Sequence, residues 1–124
     1  MTAKEIGEKY FELVKQNKDS EILDTLYAEN AVSIEAAPMG EMPSRIEGLS
    51  AIREKHAWWN ENMEMTGGDM KGPFPNNDGT QFSVFFSTEM KNKKTGDTTK
   101  AEEVALFTVE NGKIVKEEFH YSGD

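Results

Sequence analysis

The first half of the chain carries apolar residues at helical spacing; the second half carries them at every other position. Ile6, Tyr10, Leu13 and Val14 keep a helical period behind Thr2-Ala-Lys-Glu5. That opening has capping-box form, in which the Thr oxygen and the Glu carboxylate satisfy end N–H groups reciprocally, and it predicts an amphipathic helix to about Asn17. Asp19 or Ser20 can cap a second helix with Ile22, Leu23, Leu26 and Tyr27 on its inner side. Ala31–Glu35 reads as a short strand, and Pro38, Gly40 and Pro43 break the chain into a loop. Gly48 opens a third helix with Leu49, Ile52, His56, Trp59 and Met63 as its inner stripe, and Thr66-Gly67-Gly68 ends it. Met70–Phe74 reads as a strand before the turn Pro75-Asn-Asn-Asp-Gly79.

Alternation then takes over. Phe82, Val84, Phe86, Thr88 and Met90 share one face of a strand that Lys94-Thr-Gly96 turns back. A second strand runs from about Thr98 to Val109 and a third from Lys113 to Tyr121. Helices followed by antiparallel strands predict an α+β fold.

The turn Val109-Glu-Asn-Gly112-Lys113 decides which carboxylates face inward. A two-residue Asn-Gly loop pairs Glu110 with Lys113; a three-residue loop, with Gly112 left-handed in a bulge, pairs Val109 with Lys113. The second segregates apolar from charged residues better and is preferred. It places Ala101, Glu103, Ala105, Phe107 and Val109 on one face with Val115, Glu117, Phe119 and Tyr121, and sets Glu117 opposite Ala105 and Glu103 opposite Phe119. Val104, Leu106 and Ile114 then form an outward apolar patch that a homodimer through the outer sheet face would cover, with His120 beside them at the interface. Carboxylates on an apolar face acquire raised pKa values unless they reach water, which suits Glu103 and Glu117 to acid–base work.

Composition narrows the partners. The 124 residues suit one domain, 1–124, and the longest apolar run, Val104–Phe107, is far too short to span a membrane. The first ten residues are charged and lack an apolar run, so no export signal is expected and the chain reads as cytoplasmic. There is no Cys, hence no disulfide or thiol chemistry. Lys and Arg number 14 against 23 Asp and Glu, a net charge of −9 that argues against nucleic acid and acidic membranes. The Lys91–Lys94 cluster sits in a turn. Two separated His give no metal-ligand spacing, and Gly67-Gly68 follows a helix instead of opening one, as a phosphate loop would. No metal or cofactor is expected.

Tyr27-Ala-Glu-Asn-Ala-Val32, Glu47-Gly-Leu-Ser-Ala-Ile-Arg53 and Val109-Glu-Asn-Gly-Lys-Ile-Val115 occur in the order found in SnoaL-like proteins, and nearly the whole chain resembles them. They belong to the nuclear transport factor 2-like superfamily, with ketosteroid isomerase and polyketide cyclases. The resemblance implies a cone-shaped, curved antiparallel sheet wrapped around three N-terminal helices, enclosing an apolar pocket. It places Tyr10 where the isomerase has its oxyanion-hole tyrosine, and His56 where a second tyrosine supports the first. The isomerase base corresponds to Ala36 or Ala37 and its protonated Asp to Ala105, so steroid isomerisation by that route is not expected. Glu35 and Glu117, the latter facing the Ala105 gap, remain as candidate replacements.

The candidate catalytic residues are therefore Tyr10, Glu117, Glu35 and His56. Trp59, Glu103, Phe86, Phe119 and Tyr121 are candidates for ligand contact, while Met39, Met42, Met63, Met65 and Met70 flank the mouth of an adaptable pocket. Each has a plainer alternative as packing, a satisfied core histidine, or a carboxylate at a solvated sheet end. Two functions stay open. One is a cofactor-independent isomerase, cyclase or hydratase acting on a small apolar carbonyl compound; the other is a non-catalytic dimer that binds a ligand or a protein.

Overall fold

In the computed structural model, which describes residues 1–38 and 41–121, three helices lie in the concavity of one curved six-stranded sheet. Helix α1 is Ala3–Lys15, α2 Asp19–Leu26 and α3 Leu49–Asn62; the strands are β1 Tyr27–Ile34, β2 Arg45–Glu47, β3 Met63–Pro75, β4 Gln81–Asn92, β5 Thr98–Glu110 and β6 Lys113–His120. Their order across the sheet is β2-β1-β6-β5-β4-β3. Gly40 and Met39, expected in the loop and at the pocket mouth, lie outside the described residues.

The capping box forms as expected: the Glu5 N–H donates to Thr2 and the Glu5 carboxylate accepts from the Thr2 backbone. Asn17, at φ 58°, stops α1 two residues early. Ala3, Ile6, Gly7, Tyr10 and Leu13 form its buried stripe. Gly7 permits the close approach, because a Cβ there would lie 2.9 Å from Pro73 and 3.1 Å from the Phe82 ring. Phe82 stacks on Phe107 with ring centres 4.7 Å apart, and Tyr10 completes a triangle with them, 4.6 Å from Phe107 and 6.1 Å from Phe82. Each such ring buried contributes roughly 1.5–3 kcal/mol.

Several expectations need correction. Asp19 begins α2 instead of capping it, since Lys18 is the cap residue and offers no side-chain hydrogen bond. Gly48 does open α3, which starts at Leu49, but a short strand that was not expected, β2, precedes it and ends at Glu47. Thr66-Gly67-Gly68 does not end α3 but runs inside β3, where strand pairing outweighs the poor propensity of glycine. Gly68 sits at φ 151° with the Ser87 carbonyl 2.5 Å from where a Cβ would be, so only glycine fits that crossing. The sheet is mixed, not wholly antiparallel, because β1 pairs in parallel with β6. Nothing in local sequence announces a pairing between the first long strand and the last.

The final hairpin takes the two-residue loop and not the preferred three-residue one. Asn111 (φ 51°) and Gly112 (φ 74°) form a two-residue turn that pairs Glu110 with Lys113. A bulge near Val115 then shifts the register, so that Glu117 lies opposite Phe107 and Ala105 opposite Phe119. Glu117 therefore does not face Ala105. The bulge restores the parity that the shorter turn had changed, and Glu103, Ala105, Phe107, Glu117 and Phe119 still share the inner face. Ile114, on the turn side of the bulge, is buried in the core and leaves the expected outer patch.

Candidate functional site

A cavity of about 540 Å³ opens between the helices and the concave face of the sheet. Tyr10, Glu35, His56, Trp59, Phe86, Glu103, Glu117, Phe119 and Tyr121, the nine residues singled out from the sequence, all line it. Met63 and Met65 line it too, whereas Met70 lines a neighbouring groove between α1 and β3.

Its floor is a chain of buried polar groups. Parallel pairing sets Ser33 of β1 beside Glu117 of β6, and the Ser33 hydroxyl donates to Glu117 at 2.5 Å. Tyr27, at the start of β1, donates its hydroxyl to the other carboxylate oxygen. Lys55 descends from α3, one turn after the buried Ile52. Its ammonium donates to Ser33 at 2.6 Å and pairs with Glu35 at 2.8 Å, with Glu117 3.7 Å away. It also lies 4.8 Å over the Phe119 ring. Glu35, just beyond β1, accepts from the Tyr121 hydroxyl at 3.2 Å. Glu117 is 1% exposed and Lys55 4%, so this ion pairing is shielded from solvent. A buried charge is tolerable only when paired and hydrogen-bonded, and here both carboxylate oxygens of Glu117 and the ammonium have partners.

Glu103, on β5, stands apart from that chain on the cavity wall. Burial, and then the negative charge of Glu35, push its carboxyl up to about 7, with Lys55 opposing and Glu117 adding to the rise. Burial holds the Tyr10 and Tyr27 hydroxyls well above their ordinary range, and the Glu117 charge raises both further. Tyr121 is raised by burial and by Glu35.

The expected support of Tyr10 by His56 is not present. The imidazole turns instead toward Asp19, with Nδ1 3.8 Å from its carboxylate, and this interaction holds Asp19 below the usual carboxylate range. His56 is half-exposed at the mouth because α3 turns its neighbour Lys55 onto the floor. Tyr10 packs against Phe107, and its hydroxyl makes no hydrogen bond among the described residues. Trp59 lies on the cavity side of α3 and Trp58 turns outward, their rings meeting edge to face at 5.4 Å.

Sequence reasoning missed Lys55, Tyr27 and Ser33. Lys55 had a signal: it lies three residues after Ile52 and four before Trp59, hence on the cavity face, and inward carboxylates need a counter-charge. Ser33 and Tyr27 acquire their roles only through the parallel pairing. Among the described residues no group of three His, Asp or Glu could hold a metal ion, and no helix is long and apolar enough to cross a membrane.

A SnoaL-like domain profile matches residues 1–121. A solved structure from Mesorhizobium loti, provisionally named a SnoaL-like polyketide cyclase and also, in brackets, a carbohydrate phosphatase, is 37% identical; the match covers 98% of this chain and 100% of that one, with a TM-score of 0.87. Two more distant structures share the fold. An NTF2-like protein from Burkholderia thailandensis has 14% identity, 98% and 92% coverage and a TM-score of 0.81. A provisionally named isomerase from Bacillus subtilis has 19% identity, 98% and 90% coverage and a TM-score of 0.78. No curated protein matches the chain. The profile match and the M. loti relative together establish that this chain belongs to the SnoaL-like domain family.

Proposed function

We propose that the protein is a cofactor-independent acid–base enzyme acting on a compact, largely apolar carbonyl compound. The observation that supports this is a carboxyl, Glu103, poised near neutrality on the wall of a cavity whose floor holds a buried, fully paired ammonium. A group with a pKa near the working pH both takes and returns protons efficiently. Glu103 removes the proton from the carbon beside the carbonyl, and the Tyr10 hydroxyl donates to the oxyanion that forms. Return of the proton to another carbon gives an isomer; attack of the enolate carbon on a second carbonyl gives a ring. Glu117, tied on both oxygens, and Glu35, bound to Lys55, fix the electrostatic floor and do not carry the proton. His56 governs the mouth with Asp19.

The test is a panel of small ketones and enones followed by Trp59 fluorescence and mass spectrometry. Saturable quenching with a new product, and turnover lost in Glu103→Gln and Tyr10→Phe, is the expected result. Quenching without conversion of any compound favours a non-catalytic binding module. Turnover unchanged in both variants removes the assignment.

The homodimer through the outer sheet face is proposed on a smaller patch than the sequence suggested. Val104 is 40% exposed there, beside the half-buried Leu106 and Phe85, without Ile114. Sedimentation giving a 14.0 kDa particle at micromolar concentration defeats it.

A further inference from the structure

The cation on the cavity floor is committed to the protein. Lys55 pairs with Glu35, donates to Ser33, lies 3.7 Å from Glu117 and is 4% exposed, so a ligand finds that ammonium already surrounded. The other basic group of the lining, His56, faces Asp19. Glu35 and Glu117 share one ammonium, which leaves the floor with an excess of negative charge before Glu103 is counted. A second observation concerns Tyr10. It is only 8% exposed, lines the cavity, and its hydroxyl has no hydrogen-bond partner among the described residues. No buried side-chain oxygen is left unpaired among the described residues, so this hydroxyl opens onto the cavity, where it is available to donate to whatever enters. The aromatic rings of Trp59 and Phe86 complete the wall, and such faces attract cations and repel anions.

Building on the proposed site, we infer that the cavity selects by charge: it accepts uncharged carbonyl compounds, rejects carboxylates, and holds protonated amines of the same shape as unreactive ligands. The carbonyl oxygen of a neutral compound meets the Tyr10 hydroxyl. A carboxylate meets that donor too, but only by approaching Glu35, Glu117 and Glu103 together. The amine is drawn by the unneutralised Glu103. Every charged or titratable group around Glu103 bears on this selection: Glu35 beyond β1, Lys55 on α3, Glu117 on β6, Tyr121 after it and Tyr10 on α1, with Asp19 and His56 farther out. Protonation of Glu103, falling near neutrality, relaxes the selection in mild acid.

Two measurements test this without requiring turnover. In Trp58→Phe, Trp59 is the sole tryptophan, and its quenching by acrylamide, caesium and iodide, each normalised to free tryptophan amide, reads the potential of the cavity. Caesium is expected to exceed iodide several-fold at about pH 8, with the gap narrowing at about pH 6 and in an added Glu103→Gln but not in an added Asp78→Asn, which lies on the β3–β4 turn beside Val109 and outside the cavity lining. The second measurement is binding of acetophenone, 1-phenylethylammonium and phenylacetate. The expected order at about pH 8 is amine, ketone, then carboxylate, each step about tenfold. Iodide quenching as strong as caesium, or phenylacetate binding as tightly as the ketone, overturns the inference. A pH dependence that survives Glu103→Gln overturns the part given to Glu103. Correct charge order without conversion of any ketone would instead sink the catalytic reading and leave this one standing.

Discussion

Two buried regions meet at the cross-strand pair Phe107 and Glu117. On one side Phe82, Phe107 and Tyr10 close the narrow end of the cone, the first two rings only 17° from parallel. On the other, Tyr27, Ser33, Lys55 and Glu35 surround Glu117. Phe107 and Glu117 are almost equally hidden from water, at 0% and 1% exposure. Yet one is held by shape and the other by matched donors, acceptors and charges. An error of shape costs energy in proportion to the volume misplaced. An error of charge strands every partner at once.

The largest expected effect comes from breaking the charge balance. Lys55→Met leaves Glu35 and Glu117 without their cation, and denaturant unfolding at neutral pH should show a loss of about 3–5 kcal/mol. Most of it should return when Glu35→Gln and Glu117→Gln are added. Phe107→Ala, the matching change on the apolar side, should cost about 3 kcal/mol through the cavity it leaves. Its cost should be untouched by adding Glu35→Gln and Glu117→Gln, whereas that of Lys55→Met should largely disappear. An equal response of the two variants to that pair of substitutions would erase the distinction drawn between the regions.

Glu103 sharpens the comparison with the opposite sign. Its folded pKa, about 7, lies above the ordinary 4.5, so folding favours its protonated form. The resulting cost is absent below about pH 4.5, grows as pH rises through that interval, and is complete above about 7. Glu103→Gln should therefore stabilise the protein at pH 8 by about 2 kcal/mol and leave it unchanged at pH 4, as thermal melts at the two pH values would show. A group that weakens the fold at working pH while facing a cavity fits a functional demand better than a structural one. The smallest effect is expected from Tyr27→Phe, which removes one donor from Glu117 and should cost about 1–2 kcal/mol in the same melts.

What was legible in the sequence follows the same division. The apolar side was written locally: the stripe Ile6, Tyr10, Leu13 and the alternation Phe82, Val84, Phe86 each repeat at their element's own period, and the capping box marks where α1 begins. The inward face of Glu103 and Glu117 was legible as well, because parity along a strand survives an error of register. The partners of Glu117 were not. Ser33 reaches it only because β1 runs parallel to β6, and Tyr27 only because the pairing slips between Tyr27 and Val32. Lys55 was hidden by its own chemistry, since a helical lysine beside His56 reads as a solvated side chain until its buried acceptors are located. Thr66-Gly67-Gly68 misled for a related reason: two glycines look like a stop signal, yet here Gly68 lets β3 cross β4 closely.

The placement of β6 between β1 and β5 has a consequence in time. The hydroxyl of Tyr27 and the carboxylate of Glu117 lie 90 residues apart in the chain, and Ser33 lies 84 residues from the same carboxylate. During synthesis, α1, α2 and α3 leave the ribosome with Lys55 and Glu35 already present but with the slot beside β1 vacant. Contacts so distant in sequence form late, after the β4–β5 hairpin has given β6 an edge on which to dock. Until β6 arrives the nascent chain holds an ammonium and one carboxylate on an unfinished floor. The candidate site comes into being only as the sheet closes on its last strand.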